Sequence, residues 1–378
     1  MILESEEPGL GNVDVYLGIP YASAERYMPP SSPARFKWMD ANMMGPICPQ
    51  AIPKVNYERN SSSLRRLDPF LNRQSEDCLN LNIYAPSSAL RRSLRALLHV
   101  SLNHGTGGLF GIPLVIGIDA LSACYQNILG RNLPVIVFIH GESFSWNSGN
   151  AYDGSTLASY GNVIFVTLNF RLGVLGFLKP SLEEKVTSNF GLLDMIAALR
   201  WLKDNIIEFG GDPHSITLMG HHTGAIAVNY LMLSPVSQAD NGLFQRAILM
   251  SGTALSSWSE VKHPEESARA LAEQLKCPMD DLTNCLREKD WDELVHVRLP
   301  EDPAPTVDGV VVLNHPKDLM SHNTGLFTGY DLLCGVTESE SYHILDTIAL
   351  NNGLEDQEKE DVLARFFKKN FGVSTLLC

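Results

Sequence analysis

Five apolar runs of strand length, separated by segments of helical pattern, constrain this chain more than any other feature. They are "PVIVFIHG" (134–141), "NVIFVTLNF" (162–170), "SITLMG" (215–220), "RAILMSG" (246–252) and "DLLCGVTE" (331–338). Their richness in Ile, Val, Leu and Phe is that of parallel strands buried on both faces. Between them, "NFGLLDMIAALRWLKDNIIEFGG" sets Leu192, Ile196, Leu199 and Ile206 on one helical face, with Asn189 as candidate cap and Gly210 as the stop. Helices are also expected over "HPEESARALAEQLK" and "EDQEKEDVLARFFKKN", and two earlier strands over "VDVYLGIPYA" and "CLNLNIYAP". The pattern predicts an α/β fold with an open, mostly parallel sheet covered by helices on both faces.

At 378 residues, 44% hydrophobic and 19% charged, the chain is long enough to bury one large core or two small ones. A formal charge of −14 repels a phosphate backbone, and no basic cluster with interleaved aromatics offsets it, so nucleic acid is not an expected partner. Residues 87–132 have no clear period, and structureless loops beyond ~15 residues are uncommon in compact domains, so this stretch reads as an atypical, poorly ordered insertion. The longest apolar stretch, "LFGIPLVIGIDALSACY" (109–125), is interrupted by Pro113 and Asp119. It falls short of the ~20 residues of a spanning helix, and the acidic "ILESEEPGLG" after Met1 is unlike a signal peptide. Neither a leader nor a membrane anchor is expected within the chain.

The segment "MGHHTGA" (219–225) lies between a strand-like run and the helix-like "AIAVNYLML". Gly220 and Gly224 stand where the G-x-S-x-G turn of a serine hydrolase has its glycines, and His222 stands where it has the nucleophile. An imidazole can attack activated acyl groups, but it gives no stable ester intermediate of the usual kind, and no base is identifiable to assist it. His221 beside His222 suggests a metal only weakly, because adjacent side chains diverge and no third ligand follows at motif spacing. The seven cysteines form no C-x-x-C pair. Cys277 with Cys285, and Cys48 with Cys78, are either local disulfide pairs or reduced core thiols, and spacing alone does not choose. Asn60 in "NSS" matches the glycosylation sequon.

The segments "GIPYA", "SEDCLNLNIY", "PVIVFIHG", "NFRLGVLGF", "FGGDPHSITLMG" and "GLFQRAILMSGTALSSWS" resemble, in order, those of the type B carboxylesterase and cholinesterase family. Within it they are most similar to the non-catalytic adhesion branch, the neuroligins. The resemblance implies an α/β-hydrolase fold incomplete at both ends, with residues 1–378 as a single partial domain. It places the nucleophile position on His222, the oxyanion-hole glycines on Glu142 and Ser143, and the residue after the nucleophile on Thr223. "GVTESES" resembles the loop carrying the triad acid and puts it on Glu340, but only His343 follows, too close to serve as base.

The family also bridges cysteines matching Cys48 to Cys78 and Cys277 to Cys285, leaving Cys124, Cys334 and Cys378 without assigned partners. With Asn60, this implies the extracellular side of the plasma membrane. The expected function is therefore non-catalytic adhesion to a cell-surface partner, neurexin-like by resemblance. No cofactor and no metal site within the chain alone is expected; calcium would sit at the partner interface, with Glu338 and Glu340 as hard oxygen donors. Neuroligins dimerise through helices of which at least one would lie beyond Cys378, so a dimer of this chain is not expected. The alternative is a carboxylic ester hydrolase, either divergent or represented by a defective or partial sequence.

Overall fold

The computed structural model describes residues 2–3, 10–33, 39–53, 66–87, 132–180, 187–238, 242–321, 325–338, 340, 355–361 and 364. Residues 88–131 of the expected insertion, Asn60, Cys124, His343 and Cys378 lie outside them.

Among the described residues, eight strands form one sheet: β1 (Ile2–Leu3), β2 (Val13–Pro20), β3 (Asn80–Pro86), β4 (Leu133–Ile139), β5 (Ile164–Leu168), β6 (Gly211–His221), β7 (Arg246–Met250) and β8 (Asp331–Gly335). Their spatial order is β1-β2-β3-β5-β4-β6-β7-β8. The first three are antiparallel, and β3 meets β5 antiparallel. From β5 onward every pairing is parallel, so the five runs that set the fold prediction make the parallel body of the sheet. The chain goes from β4 to β5 on one side and then crosses to β6 on the other. That reversal makes the carboxyl ends of β4 and β6 the switch point of the sheet, the place where α/β sheets hold their sites.

Alternation along each strand divides the core. Val135, Val137 and Ile139 join Leu192, Ile196 and Leu199 of α3 (Phe190–Asn205) and Ala225, Val228 and Leu231 of α4 (Thr223–Leu233). Ile136 and Phe138 face the opposite layer, with Ala158 of α1 (Ser155–Gly161) and Val15 and Phe165. All eleven residues of α4 are buried, so this helix is enclosed by protein on every side. Among the described residues, no helix is long and apolar enough to cross a membrane.

A second apolar cluster joins α2 (Gly173–Phe177), α5 (Pro264–Leu275), α6 (Leu282–Glu288) and α7 (Trp291–Val295) through Val174, Leu175, Leu271, Leu286 and Leu294. Arg26 ties it to the N-terminal segment. Its guanidinium makes a two-pronged bond to Glu76 at 2.8 and 2.6 Å, and Nη1 donates to the carbonyls of Leu286 and Lys289 at the end of α6. It thereby satisfies carbonyls that a helix terminus leaves without partners.

Two expectations need correction. Asn189 precedes α3, but its side chain does not cap it; Oδ1 accepts from the amide of Thr306 and Nδ2 donates to that residue's carbonyl. The side chain serves a contact 117 residues away, which local pattern cannot register. The last run was read as a buried strand, but all five residues of β8 are exposed, Leu333 at 64%. Among the described residues, β8 is the last strand of the sheet and pairs with β7 alone.

Candidate functional site

The turn from β6 into α4 carries His222 at φ 54° and ψ −119°, a backbone conformation that costs an L-residue of order 1–3 kcal/mol. Neighbouring contacts hold it there. The His222 amide donates to the Met250 carbonyl at 2.9 Å, and the His222 carbonyl accepts from the Ile226 amide at 3.1 Å as the first bond of the helix. A Cβ on Gly220 would strike the Gly224 carbonyl, and one on Gly224 would strike the Ile139 carbonyl. The two glycines let strand, turn and helix pass within backbone contact, the arrangement that raises a nucleophile above a hydrolase sheet. Here it raises an imidazole, whose ring lies 5.2 Å from that of Trp258. The His221 ring is 6.3 Å from that of His222, and among the described residues no group of His, Cys, Asp and Glu could hold a metal ion.

The loop after β4 faces this turn. Glu142, Ser143 and Phe144 all have positive φ, at 91°, 60° and 54°. The loop keeps the left-handed backbone that glycine adopts freely, while two of these residues stand at the expected glycine positions. The Phe144 amide points to Thr223 Oγ1 at 3.4 Å, and its buried ring packs on Phe177 at 4.8 Å. Glu142 puts a carboxylate-bearing residue on the loop that faces the elbow.

Beneath the loop lies a polar network that sequence reasoning missed. Asn147 Nδ2 donates to the Gly141 carbonyl and to Tyr152 Oη, while Asn147 and Gln50 exchange two bonds of 2.7 and 3.0 Å. Asn82 Nδ2 reaches both Asn150 and Thr167, and Asn169 Oδ1 accepts from the Ser148 hydroxyl and the Gly149 amide. The available signal was "LNLNIY", where two asparagines fall on one face of a strand bounded by apolar residues. His140, stacked on Phe170 at 4.4 Å, is fully buried, and loss of solvation lowers its pKa to about 4. It is neutral at physiological pH.

Glu340 stands near the far side of the turn. Its Oε1 accepts from the Thr337 amide and, at 2.8 Å, from the Ser251 hydroxyl. The Thr337 amide first, the Ser251 hydroxyl next and the charge of His221 among the smaller causes hold its carboxyl below the usual glutamate range. Glu338 is exposed on the same loop.

Away from the turn, the structure bridges Cys48 to Cys78 and Cys277 to Cys285 and leaves Cys334 free and exposed. Arg171, from "NFRLG", is buried and holds both carboxylate oxygens of Asp194 at 2.7 and 2.8 Å. The parallel sheet and the elbow with its backbone strain are the frame of an α/β hydrolase.

The model of the carboxylesterase family matches residues 3–375. The chain belongs to the carboxylesterase family. Among curated relatives of this carboxylesterase-family chain, mouse (Mus musculus) neuroligin-2 is 38% identical over 96% of the chain and 43% of its own length. Human (Homo sapiens) neuroligin-3 is 37% identical over 90% of the chain and 42% of its own length. Neuroligin-1 of Caenorhabditis elegans is 33% identical over 95% of the chain and 45% of its own length. The chain thus spans less than half the length of these relatives.

Proposed function

We propose that this chain is a non-catalytic, cholinesterase-like adhesion domain, neuroligin-like in kind, that works by binding a cell-surface protein on the extracellular side of the plasma membrane. The observation that carries the reading is the histidine at the strained elbow. The hydrolase frame persists around a residue that cannot form the usual acyl ester. Glu142 on the oxyanion loop supports the same conclusion, since a carboxylate there opposes a developing negative charge and loss of even one donor typically costs ~2.7–4 kcal/mol. Two disulfides suit an oxidising compartment, and Asn60 is the proposed glycosylation position. We read residues 1–378 as a single partial domain, with 87–132 as its atypical insertion.

The proposed partner is a neurexin-like ectodomain, engaged with calcium through the acidic loop of Glu338 and Glu340. With a net charge of −14, contact with an acidic surface is weak unless a cation bridges it. Two measurements test the reading. Purified protein shows no turnover across a broad ester panel and no labelling by a paraoxon-type probe; turnover lost on His222→Ala restores the hydrolase alternative. Surface plasmon resonance against a neurexin domain shows binding that chelation abolishes. Binding untouched by chelation and by the Glu338→Ala, Glu340→Ala double substitution removes this loop as the site.

A further inference from the structure

The loop that rests on the elbow holds four residues in a backbone made for glycine. Glu142, Ser143, Phe144 and Asn147 have φ of 91°, 60°, 54° and 110°. An L side chain crowds its own backbone in this region, so such a run relaxes unless contacts elsewhere overrule it. At the middle of the loop, the Phe144 amide points to Thr223 Oγ1, and the Phe144 carbonyl accepts from the Gly173 amide at 2.8 Å. At its start the loop touches the elbow itself: a Cβ on Gly141 would fall 3.2 Å from the His222 Cβ and closer still to the His221 carbonyl. The far end is held by one side chain. Gln50, buried at 2% exposure, accepts from the Asn147 amide through Oε1 at 2.7 Å and donates to the Asn147 carbonyl through Nε2 at 3.0 Å. Gln50 is fixed in turn. Its amide donates to Gln74 Oε1 at 2.7 Å, and Nε2 also donates to the Cys48 carbonyl at 2.9 Å. Two backbone bonds, Ile47 to Arg73 and Ser75 to Ile47, and the Cys48–Cys78 bridge close that segment on itself. Bridge, Gln50, Asn147 and loop are thus linked in series.

We propose that residues 141–147 are a strained strap over the elbow and that Gln50 is its latch. While Gln50 holds both backbone groups of Asn147, the strap keeps its left-handed course against His222. When the latch is lost, the strap relaxes toward ordinary backbone, Gly141 withdraws from the elbow and the half-buried His222 is uncovered. The Cys48–Cys78 bridge supports the latch from behind, because it keeps the Cys48 carbonyl and Gln74 where Gln50 meets them. A molecule that reaches His222 only beneath a lifted strap binds with an affinity reduced by the fraction lifted, so the latch sets how open the elbow is. Gln50 acts through Asn147 and is a positioning residue. The device lies in the backbone of loop and elbow, and it operates whether the elbow is adhesive or hydrolytic.

The test combines amide hydrogen exchange of the full chain, read by mass spectrometry, with diethyl pyrocarbonate labelling of His222 located by peptide mapping. Gln50→Ala removes both bonds to Asn147 and speeds exchange across 141–148 ~10- to 100-fold, while peptides of β4 and β6 exchange as in the wild type. Labelling of His222 rises in step. Glu142→Gly relieves the backbone at φ 91° and leaves the latch in place; it slows exchange of the loop ~2- to 5-fold, and in Gln50→Ala it restores protection by the same factor. Replacing Cys48 and Cys78 together by alanine speeds exchange of the loop more than that of β4 and β6. Loop exchange unchanged in Gln50→Ala, or raised only as far as that of β4 and β6, overturns the latch. Labelling of His222 indifferent to Gln50→Ala while the loop exchanges faster overturns its role as a cover. If Gln50→Ala does not fold, Glu142→Gly alone decides: slower loop exchange with slower labelling of His222 supports the strap, and exchange that is unchanged or faster overturns it.

Discussion

At the scale of single residues, the site is defined by side chains that occupy a backbone built for others. His222 holds a strained conformation that the surrounding chain enforces, and its substitution changes chemistry without changing that frame. On the proposed non-catalytic reading, His222→Ser restores a hydroxyl while Glu142 stays on the facing loop, so the variant shows no turnover of p-nitrophenyl acetate above the wild-type background. A measurable burst of nitrophenol from His222→Ser alone would reverse that view. Glu142 illustrates the same mismatch in energy. At φ 91° the residue sits where glycine rests without strain, so Glu142→Gly gains about 1 kcal/mol in chemical denaturation instead of losing it. A loss of that size or more would mean that the contacts of Glu142 outweigh its backbone strain.

At the scale of elements, the buried ion pair joins pieces far apart in the chain. Arg171 lies between β5 and α2, and Asp194 lies in the first turns of α3. The guanidinium also donates to the carbonyls of Glu25 and Met28 and rests over the ring of Phe190 at 5.2 Å. Removing one member of such a buried pair leaves the other charge without compensation, so Asp194→Ala costs about 3–5 kcal/mol of unfolding free energy, read from the shift in urea midpoint.

A second tie is pH-dependent. His315, immediately before α8 (Pro316–Ser321), meets both carboxylate oxygens of Glu260 at 2.9 and 3.0 Å. The hydrogen bond to Glu260, then its charge, raise the His315 pKa, and Asp318 adds to this. A histidine raised in the folded state stabilises fully below its unfolded pKa of about 6.5, and that contribution is lost as pH rises through the folded value. The melting-temperature difference between wild type and His315→Gln therefore narrows from pH 6 to pH 9. A constant difference would show that the contact is not ionic.

At the scale of the whole molecule, one bridge lies within each of the two apolar clusters, the main core and the helical cluster. Cys48–Cys78 spans 30 residues beside the Asn147–Gln50 network, and Cys277–Cys285 closes 8 residues within the helical cluster. Loop-closure entropy assigns ~3.6 kcal/mol to the first and ~2.5 kcal/mol to the second. Replacing Cys48 and Cys78 together by alanine thus lowers stability about 1 kcal/mol more than replacing Cys277 and Cys285, as denaturant titration checks; the reverse order would place the greater strain or the greater residual structure in the longer loop.

The sequence by itself determined the sheet's parallel body, because Ile-, Val- and Leu-rich runs of strand length favour a place between two covering layers, as β4 and β5 take and β8 does not. It also determined the elbow, because Gly220 and Gly224 flanking His222 between a strand and a helix leave the backbone little choice. Both signals are local in the chain, and local periodicity and turn chemistry are what a sequence displays openly. Tertiary structure decided what those signals meet. It buried Asn80 and Asn82 at 4% and 1% exposure by surrounding them with partners from distant segments, placed Arg171 against Asp194, and turned Asn189 from a cap into a bond with Thr306. It left β8 exposed and brought the exposed Glu340 onto Ser251, 89 residues away. A polar side chain carries no mark of whether its partner is water or another residue. Only the closing of the chain brings the partner within hydrogen-bonding distance and makes burial affordable.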